Sequence, residues 1–237
     1  MSIFNKLFGK GNHKGPKHTN FQEGDVFFTE KDDKFWTYKL LRIDEDTNTF
    51  HVKAYQETQE VPSPDSLDTL TVNIHHFPVD INGFEHPVLI LNQGITDDDL
   101  LGYFEYIKQT QNINEIVKYA KGFYQQAHAL STEQDHTGAI QKYSQAIDLL
   151  PNFFEAIDNR AFAYMDLGQW AEAIAGFKQS LEVNPNSLLP IFSIGECHLK
   201  LKEYPQAKDY FEQAIKIAPN HPKPKEFLDL TLKLMNE

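Results

Sequence analysis

The sequence predicts an α+β chain in two parts, a small antiparallel β sheet or barrel followed by an all-α array. Two observations predict it. From about residue 23 to 95 apolar residues alternate with a period near two, the spacing of half-buried strands. Beyond that, Pro-Asn dipeptides recur at 151–152, 185–186 and 219–220, always 34 residues apart, the mark of a repeat architecture. The boundaries that follow are a basic, flexible tail over residues 1–22, a β-rich domain with a linking helix over 23–111, and the helical domain over 112–237.

The tail holds Lys6, Lys10, Lys14 and Lys17 without an acid, whereas the whole chain is at −12. Gly9, Gly11, Gly15 and Pro16 discourage a helix past the first ten residues. Ile3, Phe4, Leu7 and Phe8 form an apolar stripe if those residues are helical, which suggests weak contact with a membrane surface or with the protein itself. A frayed, basic terminus is the plainer expectation.

Five short strands are expected next. Asp25–Phe28 and Phe35–Ile43 are rich in β-favouring residues. In Thr49–Tyr55, Phe50, Val52 and Ala54 share one side, and Thr49, His51 and Lys53 the other. Leu70, Val72 and Ile74 alternate likewise, and Pro87–Leu91 is the last strand. Asp44–Asn48 reads as a hairpin loop and Asn82-Gly83 as a turn. Thr96-Asp-Asp-Asp99 then suits a helix N-cap followed by acids at the positive end of the dipole, a better fit than a metal loop. The linking helix would bury Leu100, Leu101, Phe104 and Ile107.

The 34-residue interval also relates Ala127, Ala161 and Gly195; Ala139, Ala173 and Ala207; Tyr143, Phe177 and Phe211; and Ala146, Ser180 and Ala214. Trp170 and Tyr204 share one position, with His136 in the first copy, and Gly168 is matched there by Gln134. This pattern resembles the tetratricopeptide repeat family over roughly residues 112–237. The opening Gly24-Asp-Val-Phe27 has only a loose likeness to the first strand of SH3-like barrels.

The tetratricopeptide resemblance implies a solenoid of three helix pairs, over about 120–153, 154–187 and 188–221, closed by a capping helix at 222–237. Small residues would stand where paired helices come nearest, and the aromatics would fill space between repeats. Proline would end each second helix, and the asparagine after it would start or cap the next turn. The first helices of such pairs line a concave groove that holds peptides. By register the groove residues are Lys121, Tyr124, Gln125 and His128; then Glu155, Asp158, Asn159 and Phe162; then Leu189, Phe192, Ser193 and Glu196.

Some family members grip a terminal carboxylate with two Asn and several Lys or Arg. Only Asn159 matches that set; Tyr124, His128, Leu189 and Ser193 do not, which argues against chaperone tails as ligands. Aromatic anchors beside Glu155, Asp158 and Glu196 suit a protein or peptide bearing apolar and basic residues. The competing role for Phe162 and Phe192 is packing against the chain's own helices, the last one included. On the groove reading, truncating these two to alanine removes binding and leaves stability nearly intact.

Composition narrows function further. The net charge disfavours nucleic acid, whose phosphates need clustered Lys and Arg. A single cysteine, Cys197, leaves no intrachain disulfide or Cys-based zinc site and fits a reducing compartment, with a buried inert thiol expected. No apolar run long enough to span a bilayer occurs, and the first ten residues do not form a secretory signal, so a cytoplasmic protein is expected. Phosphate-loop, dinucleotide, zinc-protease and serine-hydrolase motifs are missing, so no enzyme, no cofactor and no metal is expected. Of His75 and His76 only one can reach a shared site, because neighbours on a strand face opposite ways. The expected function is a protein-interaction adaptor or scaffold. The alternatives are a bacterial immunity-type inhibitor of a basic toxin, and an enzyme with an unrecognised site in the β domain.

Overall fold

The computed structural model describes residues 21–236, so the expectations for the tail up to Asn20 lie outside the described residues. The described residues fall into two compact units, one up to Gln111 and one from Asn112 on.

The first unit is an antiparallel five-stranded sheet: β1 (Asp25–Lys31), β2 (Lys34–Asp44), β3 (Thr49–Tyr55), β4 (Val72–Asp80) and β5 (Val88–Asn92). Its order is β4-β3-β2-β1-β5, so the last strand returns to pair with the first. The loop before β3 ends on Asn48, at φ 54°. The β1–β2 hairpin turns on Asp32 and Asp33, at φ 56° and 58°, the primed geometry that matches strand twist. Because Asp serves there in place of the more usual Gly, the sequence hides this turn.

Period-two alternation gives the sheet two faces. One carries Phe27, Tyr38, Leu40, Phe50, Val52, Ala54 and Val79, joined at its margin by Phe21, Trp36, Phe77 and Phe84. Burying each of the large side chains contributes about 1.5–3 kcal/mol. The other face holds Thr37, Lys39, His51 and Lys53, and these are buried as well. What covers them is helix α1 (Asp97–Gln109).

Thr96 caps α1 in a capping box: its hydroxyl accepts the Asp99 amide at 3.3 Å, and the Asp99 carboxylate accepts the Thr96 amide at 3.0 Å. Asp99 also accepts from Lys39 Nζ at 2.7 Å and Lys53 Nζ at 2.5 Å. Lys39 and Lys53 are direct cross-strand neighbours, an unfavourable pairing of like charges that the shared carboxylate relieves. Burial alone would raise the Asp99 pKa, but the hydrogen bonds from Lys39, Lys53 and Thr96 hold it well below the usual carboxylate range. Phe104 and Ile107 are buried as the sequence predicts. Leu101 is not: it is 54% exposed, because Asp99, Tyr103 and Gly102 turn a different side of α1 to the sheet.

The second unit consists of helices α2 (Ile113–Thr132), α3 (His136–Leu149), α4 (Phe154–Asp166), α5 (Trp170–Val183), α6 (Leu188–Lys200), α7 (Tyr204–Ile217) and α8 (Pro222–Met235). Helix α2 starts seven residues ahead of the expected first repeat. Asn112 caps it by accepting the Glu115 amide, and Ile116, Ala120, Phe123 and Ala127 form one buried stripe along its whole length.

The repeat shows as one contact made three times. Ala139, Ala173 and Ala207 are each fully buried, as are Ala127 and Ala161, and Tyr143, Phe177 and Phe211 are buried beside them. A Cβ on Gly195 would lie 2.6 Å from the Phe211 ring, which is why the third copy has glycine where the others have alanine. The turn inside each pair places Gln134, Gly168 and Lys202 at φ 65°, 72° and 61°, equivalent positions of which only one is glycine.

The residues before the three prolines, Leu150, Asn184 and Ala218, share φ near −130° and ψ of 84°, 83° and 74°, outside the helical region that a following proline disfavours. The asparagines after the prolines do not cap the next helix. That position falls to Phe153, Ser187 and His221, none of which makes a side-chain cap bond. The Arg160 guanidinium of α4 donates to Ser144 of α3, in the preceding pair, and to Gln179 of α5, within its own.

Helix α8 stands one period after α6, with Pro224 and Thr231 buried and Phe227 against Phe192 and Phe211. At the position of Ala127, Ala161 and Gly195 it carries Asp229, which is exposed.

Candidate functional site

The first helix of each pair, α2, α4 and α6, carries the twelve residues expected to line a groove. Lys121, Gln125, His128 and Glu155 are exposed, and so is Leu189, at 52%. Tyr124, Asp158, Asn159, Phe162, Phe192 and Glu196 are half-buried. Ser193 is fully buried and drops out of any surface, since its neighbours Phe192 and Ile194 pull that turn of α6 into the core.

The aromatic positions are braced by the fold. Tyr124 lies against Tyr143 and Phe153, with ring centroids 5.8 and 5.0 Å away, and its hydroxyl accepts from Asn159 Nδ2 at 3.0 Å. That bond joins α2 to α4 and occupies the one asparagine that matches the carboxylate-gripping pattern. Phe162 meets Phe177 edge-on at 4.9 Å, and Phe192 is held between Phe211 and Phe227 of α8. Both rings therefore pack against the chain's own helices, the alternative weighed beside the groove role, and truncating them should cost stability.

The acids are the least neutralised part of the site. Burial pushes the Asp158 carboxyl above its ordinary pKa, and the Glu155 charge adds to that. Glu196 is also raised by burial, although Lys223 and Lys200 pull it back. Among the described residues neither Glu155 nor Asp158 makes an ion pair. Lys223 of α8 escaped the sequence prediction; it stands one period after Leu189, so the repeat register would have found it.

Two other candidates settle simply. Cys197 is buried on α6, and burial pushes its thiol up to about 12, far from a working nucleophile. His76 does reach a second histidine, His51, while His75 is exposed. Among the described residues no group of three or more His, Cys, Asp or Glu is placed to hold a metal ion, and no helix is long and apolar enough to cross a membrane.

Stacked helix pairs on a fixed period, with small residues at the closest approach, define a helical-repeat array. Residues 153–220, a span that takes in α4 to α7, match the model of the tetratricopeptide repeat family. No curated protein matches the chain.

Among solved structures, the first such domain of Spaghetti (RPAP3) bound to an HSP90 peptide, SRMEEVD, is 19% identical with a TM-score of 0.49, over 51% of this chain and 96% of that one. The Sgt2 domain from Aspergillus fumigatus is 23% identical with a TM-score of 0.46, over 50% and 80%. The TPR2B domain of yeast Sti1 in complex with pHsp70 is 23% identical with a TM-score of 0.45, over 50% and 98%.

Proposed function

We propose that the chain is a non-enzymatic protein-interaction adaptor whose repeat groove captures a protein segment bearing apolar and basic side chains. The observation that carries this is Glu155 beside the desolvated Asp158 with no cation paired to either. A Lys or Arg side chain supplied by a partner would relieve that repulsion and form charge-assisted bonds. Exposed Leu189 and the half-exposed faces of Phe162 and Tyr124 give apolar contact along the same surface. Binding of an acidic C-terminal tail is disfavoured, because the cations such a carboxylate needs are absent from the matching positions and Asn159 is already bonded to Tyr124.

The test is fluorescence anisotropy with labelled peptides in which Leu or Phe is interspersed with Lys or Arg, set against peptides of reversed charge. Glu155→Lys should lower affinity for the basic set by about tenfold or more, since removing one charged partner costs about 1.5–3 kcal/mol. The same change should leave folding stability within about 0.5 kcal/mol, because the residue is exposed. Acid should weaken binding as well: a carboxyl whose pKa is raised loses its charge early as pH falls, and the cation loses its partner. Equal affinity for both peptide sets, or affinity untouched by Glu155→Lys, refutes the assignment.

A further inference from the structure

The polar face of the sheet contains a device that the adaptor function does not use. The rings of His51 on β3 and His76 on β4 stack with centroids 5.2 Å apart, and Nδ1 of one lies 2.9 Å from Nε2 of the other. That gap holds one proton: one ring donates and the other accepts, and a second N–H pointing into it would clash. Tyr103 and Tyr106 of α1 roof both rings at 4.7 to 5.6 Å. At Gly102 the helix comes so near β4 that a Cβ would lie 2.8 Å from the Cβ of His76 and 2.9 Å from the carbonyl carbon of His75. The histidine pair is thus the seat on which the middle of α1 rests.

The groups around the pair are Tyr103 and Tyr106 from α1, Lys53 two residues along β3, and two side chains of β2. These last are Asp44, which feels the His51 charge, and Arg42, which stands opposite His51 and pairs with Glu23. One turn before Gly102, Asp99 ties α1 to Lys39 and Lys53, and that tie persists into strong acid because its pKa is held low. His76 is the other titratable part of the contact, and burial makes it resist a proton.

We propose that the His51–His76 pair is a proton-sensitive clasp for α1: mild acid drives a second proton onto the pair and loosens the helix from the sheet. Burial first, and then the charge of His51, lowers the His76 pKa from its ordinary 6.5 to about 4. Between those values the undocked state takes up a proton that the docked state refuses. Docking therefore weakens as pH falls from about 6.5 to about 4, and this group weakens it no further below that.

Hydrogen exchange of the full chain at pH 7 and pH 4.5 tests the clasp, with rates corrected for intrinsic pH dependence and the helices of the second unit as reference. The α1 amides should lose about tenfold in protection in the native sequence, a fraction of the shift between the two proton affinities. In His76→Gln, which keeps a hydrogen-bonding group but cannot titrate, they should lose none; His51→Gln gives the same expectation if the first variant folds poorly. Gly102→Ala should expose α1 already at pH 7. An equal acid loss in the glutamine variants, a loss shared equally by β1 to β3, or an unchanged α1 in Gly102→Ala overturns the proposal.

Discussion

The two units reach stability by opposite routes. In the helical unit a few features are written once and copied at a fixed period: a small residue where helices meet, an aromatic between repeats, a non-helical residue before proline. In the β unit the decisive contacts occur once each. Asp99 holds two lysines 46 and 60 residues away in the chain, Gly102 lets α1 down onto β4, and two histidines share one gap. Copied contacts spread risk and leave a signature, while single contacts concentrate both energy and vulnerability.

The contrast can be broken at its strongest point first. Asp99→Ala leaves two buried ammonium groups without their carboxylate, and should cost about 3–5 kcal/mol. Denaturant unfolding followed through Trp36, in a Trp170→Phe background, isolates that loss to the β unit. A change under 1 kcal/mol would mean that the polar face is hydrated and the contact is not decisive.

Next in size, Phe192→Ala and Phe162→Ala should each cost about 2–3 kcal/mol, since both rings are half-buried against other aromatics. Helical circular dichroism in urea reads this directly, and an unchanged midpoint would return these residues to the groove alone. Gly168→Ala should cost about 1 kcal/mol, because its left-handed backbone burdens any Cβ. The smallest effect has the opposite sign: Gln134→Gly and Lys202→Gly, at the equivalent turns, should each gain up to about 1 kcal/mol. Gains at both sites and a loss at the third would show that the three turns are one structure.

Legibility follows the same division. The array was readable because three internal copies supply their own comparison, so Ala139, Ala173 and Ala207 identified one another without any structure. The groove was readable only as a register. Position alone does not tell that Ser193 is pulled inward, nor does it decide between the groove and the last helix for Phe192, which Phe227 of α8 covers.

In the β unit alternation revealed the strands and their two faces, but not the order in which they pair. It also assigned His51 and Lys53 to the side away from the apolar core, which is correct, but it held no signal that a helix would cover that side. Thr96 and Asp99 were legible as a helix start because capping is local. The lysine partners were not, because a bond across 46 or 60 residues leaves no trace in spacing. The clue available was Gly102, a helix-weakening residue in mid-helix, which marks a close approach.

Asp229 bears on how large such an array grows. At the place where earlier helices offer a neighbour a methyl group or a bare hydrogen, α8 offers a carboxylate. Another helix pressed against it would strip that group of water and return no counter-charge. An identical module stacked on α8 would therefore bury a carboxylate without a partner, and swapping Asp229 for alanine would restore the small contact that the earlier helices offer.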